Sequence, residues 1–194
     1  MHRLAFYMIL SAVVAFGAAC TGIPQQVEIR SDEVAVVEDT ESGDILASPL
    51  LPGTHTISAL TQAVTYYPTF AQNYTFSPVN RDTMPELGAA PLQVTAGDGT
   101  ALALDLSVVF RFDEQSIVEM HRMYAAQGED VRASFVNPTT QQVVQQVLSG
   151  YNAADIVDGR RREVTALIEV DLRRMFEQAG LILDRVTLSD VRRL

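Results

Sequence analysis

The chain has no lysine: all fourteen of its basic side chains are arginine. That removes a Schiff-base lysine and the lysine of a phosphate-binding loop from the mechanisms open to it. One cysteine, Cys20, leaves no intramolecular disulfide, and three histidines (His2, His55, His121) fall at no metal-ligand spacing. No metal and no cofactor is therefore expected. Positive charge is scarce as well, since fourteen cations face twenty-four acids for a net charge of -10 and a pI near 4.6. A field of that sign repels polyanions, so no nucleic-acid partner is expected. What is present, 47% hydrophobic and 20% charged residues in 194, is the make-up of a globular domain able to bury a core.

The first twenty residues differ from the rest. Arg3 precedes an uncharged apolar block from Leu4, which ends in Gly17, Ala18 and Ala19 before Cys20. A basic start, an apolar centre and small residues at the close are the three parts of an export signal, so residues 1–19 are set apart as signal peptide or membrane anchor. A cysteine directly after small residues resembles the bacterial lipoprotein signal, in which that cysteine becomes the acylated N-terminus. The departure is Gly17, where that signal usually carries leucine three places before the cysteine. Lipidation at Cys20 is ranked first, an uncleaved anchor second and cleavage after Ala19 with release third. The apolar block is short for a span, which needs about 20 residues. In each case a bacterial, extracytoplasmic setting is expected, at a membrane in the first two.

After a spacer (20–26), the valine-rich "VEIR" and "EVAVVED" read as strands, and "EDTESGD" as a turn between extended runs. "PLLPGTHTI" marks another turn with His55 in the strand that follows, and "TQAVTYYPTFAQNYTF" suits strands interrupted at Pro68. Residues 77–90 read as a loop. In "LQVTAGDGTALALDLSVVFRFD" a turn at Asp98-Gly99 leads into a strand that puts Leu102, Leu104, Leu106, Val108, Phe110 and Phe112 on one face. The period then changes. Ile117, Met120, Met123 and Tyr124 space a first helix that carries His121 on its polar side, and Asn137-Pro138 is expected to cap and open a second. A third helix, about 158–179, carries Val164, Leu167, Ile168, Leu172, Met175, Phe176 and Ala179 as its inner stripe and ends at Gly180. Arg160, Arg161, Arg162, Arg173 and Arg174 stand on its other side as a candidate assembly surface. A final strand, "LILDRVTLSDV", completes an α+β domain with helices packed on a mostly antiparallel sheet.

Taken in order, "EVAVVED", "PLLPGTHTI", "VTAGDGTALALDLSVVFRFD" and "YNAADIVDGRRREVTALIEVDLRRMFEQAGLILDRVTLSDV" resemble the prohibitin and stomatin superfamily, also called band 7 or SPFH, across 27–191. The resemblance implies a scaffold without catalytic residues. Such proteins are held to a membrane by an N-terminal anchor, assemble into homo- or hetero-oligomeric rings or cages, and organise membrane proteins or restrain membrane proteases. It also implies a long coiled coil after the last strand, which 192–194 would begin.

Two other classes are carried beside this one. The domain could be a monomeric exported lipoprotein that binds a small ligand or a partner protein. A hydrolase would need positioned acids and bases, for which Asp98, Asp105 and His55 or His121 are the candidates.

Overall fold

A computed structural model describes residues 23–78, 88–125 and 130–194. Strands fill the first half: β1 (Pro24–Ile29), β2 (Glu33–Asp39), β3 (Gly53–Ser58), β4 (Gln62–Pro68), β5 (Gln72–Phe76), β6 (Gly88–Ala89), β7 (Leu92–Thr95) and β8 (Ala101–Phe112). Helices α1 (Ile117–Tyr124), α2 (Asn137–Leu148) and α3 (Arg161–Gln178) follow, and β9 (Leu181–Arg193) returns to the sheet. This is the α+β order expected from the change of period.

β8 is the axis of the molecule. Its alternation buries Leu102, Leu104, Leu106, Val108, Phe110 and Phe112 under the helices. β9 pairs antiparallel along almost its whole length, from Leu102 opposite Arg193 to Phe112 opposite Leu181, with two register shifts. The other edge is shared by β7 and β5, and β6 adds in parallel to β5. The expected Asp98-Gly99 hairpin joins β7 to β8, with Gly99 at φ +83°.

Two smaller antiparallel pairs, β1 with β3 and β2 with β4, lie before this sheet. β2 is buried on both faces: Val34 and Val36 join the main core, while Val37 packs with Val27 and Ile57. Continuous burial explains why "VAVV" shows no polar alternation. The acidic turn is built as expected, with Asp39 Oδ1 accepting from the amides of Glu41 (3.0 Å) and Ser42 (2.9 Å). The chain then runs back along β2 through isolated bridges, Glu38 to Ile45 and Ala35 to Leu50.

The second helix departs from the sequence expectation. Asn137 is its first residue, not its cap, because the chain is already helical from Val131 through a π-helical turn, Arg132–Val136. Asp130 does the capping, accepting from the Arg132 amide at 2.9 Å. Asn137 accepts from the Gln141 side chain instead, at 2.9 Å. α2 is fixed to β7 by a reciprocal pair, Thr95 N to Gln145 Oε1 and Gln145 Nε2 to Thr95 O, both 3.0 Å.

Gly180 ends α3 as expected, at φ +76°. A Cβ there would come within 2.9 Å of Ser116 Cβ, so only glycine lets the helix end sit against the start of α1.

Candidate functional site: the arginine-bearing helix and a buried histidine

α3 buries Val164, Ile168, Leu172 and Phe176, a strict four-residue spacing that lays one narrow stripe on β8 and β9. Two expected members of the stripe differ. Leu167 is 42% exposed, and Met175 is only half-buried. With Val170 at 61% exposure, Leu167 gives the outer face of α3 an apolar component that the sequence reading missed.

The five arginines assigned to this face are not equivalent. Arg173 binds Glu169 at 2.6 Å and Arg174 binds Asp171 at 3.3 Å, so both are neutralised within their own helix. Arg160, Arg161 and Arg162 gather at the start of α3, and no described carboxylate is in ion-pair contact with them. The nearby Glu163 accepts instead from the Tyr151 hydroxyl, at 3.1 Å. Cations at a helix N-terminus also stand against its macrodipole, so the helix itself does not stabilise the triplet. Arg161 Nη1 reaches Ser189 O at 3.5 Å, and its Nε is buried with no acceptor. Arg161 and Arg162 line a groove of about 340 Å³ whose opposite wall is Val186 to Leu188 of β9.

His121 is the second site, and here the structure corrects the expectation of a polar-face histidine. It is 0% exposed, and among the described residues no other histidine, arginine or carboxylate is buried. Its Nδ1 is hydrogen-bonded to the Tyr67 hydroxyl of β4, and its Nε2 lies 3.6 Å from Glu38 Oε2 of β2. The second distance is too long for a hydrogen bond and makes an electrostatic contact. A carboxylate facing Nε2 places the proton there, so Tyr67 donates to Nδ1 and the imidazole is neutral. Burial holds its pKa below the ordinary histidine value, with the Glu38 carboxylate pulling the other way. Tyr67 is raised well above the usual phenol range by burial, then by Asp130 and Glu38, and so stays protonated. A phenol that titrates so high is a poor nucleophile. The trio works as a polar tie between the β2/β4 pair and α1.

The acids and bases considered for hydrolysis are dispersed by the fold. Asp98 accepts from Thr100 N and Ala153 N, both at 3.0 Å, and closes the β7/β8 turn. Asp105 binds Arg192 of β9 at 2.6 Å. His55 Nε2 contacts Leu51 O at 2.7 Å on the exposed β3. Asp98 and His121 flank opposite ends of the twelve-residue β8, which spans about 35 Å. Cys20 and the rest of 1–22 lie outside the described residues.

An antiparallel sheet around one long central strand, closed by helices and a returning C-terminal strand, defines the class as a mixed α+β module. The family follows from the sequence match. The model of the SPFH domain / Band 7 family covers residues 27–193, and the chain belongs to that family. Its members are generally membrane-associated, scaffold-like and non-enzymatic. The comparison with curated proteins finds no match. Among the described residues, no helix is long and apolar enough to cross a membrane.

Proposed function

We propose that the protein is a non-enzymatic scaffold, anchored to a membrane through its first twenty residues, which self-associates and organises membrane proteins or restrains a membrane protease. The observation that carries this reading is the family match from Val27 onward, one short spacer behind an apolar block that closes just before Cys20. Acylation of Cys20 supplies the anchor on the extracytoplasmic side, and the outer face of α3 supplies assembly contacts. The test is intact mass and solution size on detergent-extracted protein. A diacyl or triacyl mass on Cys20 in a particle of many subunits is the expected outcome. An unmodified monomer would overturn both parts.

One observation favours the second reading, a monomeric lipoprotein that binds a small ligand. A cavity of about 250 Å³ is walled by Tyr67, Phe110 and Phe112, with Gln72, Asp130 and Arg132 as polar lining. Arg132 is already engaged by Asp130 at 2.8 Å, which leaves few groups to fix a ligand. For that reason the scaffold stands first.

A further inference from the structure

Three features are candidates for a further role: the cavity beside Tyr67, the buried His121 trio, and the arginine triplet without a described ion pair. The triplet carries an inference furthest because its complement is present in the same chain.

Arg160, Arg161 and Arg162 are three adjacent cations in a chain of net charge -10, and none has a carboxylate partner among the described side chains. Glu169 and Asp171 of α3 are taken by Arg173 and Arg174, Glu163 accepts from Tyr151, and Arg192 is taken by Asp105. Arg161 Nε is buried with no acceptor among the described residues, which leaves it open to a group from outside the fold. Conversely, residues 38–44 hold four acids and no base. Asp39 is used inside that turn to bind the amides of Glu41 and Ser42, and the arrangement is completed by Gly43 at φ +73°. The result is a pre-formed turn in which Glu41 and Asp44 are exposed and have no ion pair among the described residues.

The two patches are at opposite ends. The triplet opens α3, and the far end of α3 abuts α1 through Gly180, Ser116 and Met120. The acidic turn sits on that far side, since Glu38 at its base faces His121 of α1. Eighteen helical residues, about 27 Å, separate the two ends along the axis of α3. Complementary patches on opposite ends cannot satisfy each other within one copy, but they can between successive copies. Such a contact is head-to-tail, and repeated it closes a ring or extends a row.

We propose that Arg160, Arg161 and Arg162 of one copy receive the acidic turn of the next, with Glu41 and Asp44 as the acceptors. This rests on the self-association proposed above and names its surfaces. Arg173 and Arg174, which pair internally, take no part.

The test uses the full chain, extracted in detergent and sized by sedimentation over a range of concentration and salt. One variant carries Arg160→Glu, Arg161→Glu and Arg162→Glu; a second carries Glu41→Arg and Asp44→Arg. Each alone is expected to weaken assembly about tenfold or more, as several close charge pairs are turned repulsive at once. An equal mixture is expected to assemble again, because each variant then meets opposite charge at both ends. Wild-type assembly is expected to weaken as salt rises from 0.15 to 1 M, where the screening length falls from about 8 to about 3 Å. Circular dichroism checks the fold, and Arg162→Gln with Glu41→Gln, both at exposed positions, repeats the test where charge reversal unfolds the chain.

If both variants assemble like the wild type, this interface is overturned and self-association stands. If the arginine variant loses only its binding to phosphatidylglycerol vesicles, the triplet is a lipid site and the interface is again overturned. A wild-type chain that remains monomeric at all concentrations overturns the interface and the scaffold reading together.

Discussion

At the scale of single residues, His121 is the group whose ionisation the fold resists. Its pKa is depressed by burial, so the folded protein favours the neutral imidazole. A group of this sign contributes stability that is present above the unfolded value near 6.5 and lost as pH falls below it. The aspartates whose pKa is depressed, Asp39, Asp98 and Asp130, act only below the ordinary carboxylate range, so the two effects occupy separate windows. Thermal unfolding followed between pH 7.5 and pH 5 is expected to show a falling midpoint in the wild type. In His121→Gln the profile is expected to be flatter, at the expense of about 1–3 kcal/mol at pH 7 from the unpaired Tyr67 hydroxyl. Parallel profiles in the two proteins would remove His121 as the titrating group. Part of this site was legible beforehand. Ile117, Met120, His121 and Tyr124 follow the spacing of an inner helix face, and a preference for apolar residues displaced His121 in favour of Met123, which is exposed. Its partner Tyr67 lies fifty-four positions away, and no local pattern reports a pairing at that range.

At the scale of elements, α3 separates what periodicity determines from what it leaves open. The stripe Val164, Ile168, Leu172 and Phe176 follows from spacing alone, whereas Leu167 falls at its margin and the neighbouring strands decide its side. Phe176 packs edge-on to Phe110 and tilted on Phe135, with centroids 5.9 and 5.5 Å apart. Phe176→Ala is expected to cost about 3–5 kcal/mol in urea unfolding. Val170→Ser, on the same helix and exposed, is expected to stay within about 0.5 kcal/mol. Equal losses would mean that the outer face of α3 is covered within the monomer. The start of α2 departs from its local signal for a related reason. Asn137-Pro138 is a strong local signal for a helix start, but the Asp130 cap begins a helical path seven residues earlier, and the π-helical turn carries it through.

At the scale of the whole molecule, the order of elements and the family were legible because alternation, helical period and turn residues agree along β7, β8, α3 and β9. The strand partners of the first half were not: β1 joins β3 and β2 joins β4, and sequence spacing does not choose between such pairings. Those pairings make two unequal bodies of apolar contact. One cluster runs from β2 and β4 through β8, the helices and β9, and the other holds only Val27, Val37 and Ile57 at its centre. β1 and β3 share no ladder with the five-stranded sheet and rest on the smaller cluster, so their opening exposes little apolar surface. Native-state hydrogen exchange is expected to show β1 and β3 amides exchanging through local opening, at least about tenfold faster than those of β8 paired to β9. This ranking bears on the anchoring proposed above: β1 is the first described element, so a pull on residues 1–22 would reach it before the main core. Exchange at one rate in β1, β3 and β8 would instead mean that Val37 and the valines on the other face of β2 couple the two clusters into one cooperative unit. In that case tension at the N-terminus would be transmitted directly to the sheet that carries α3.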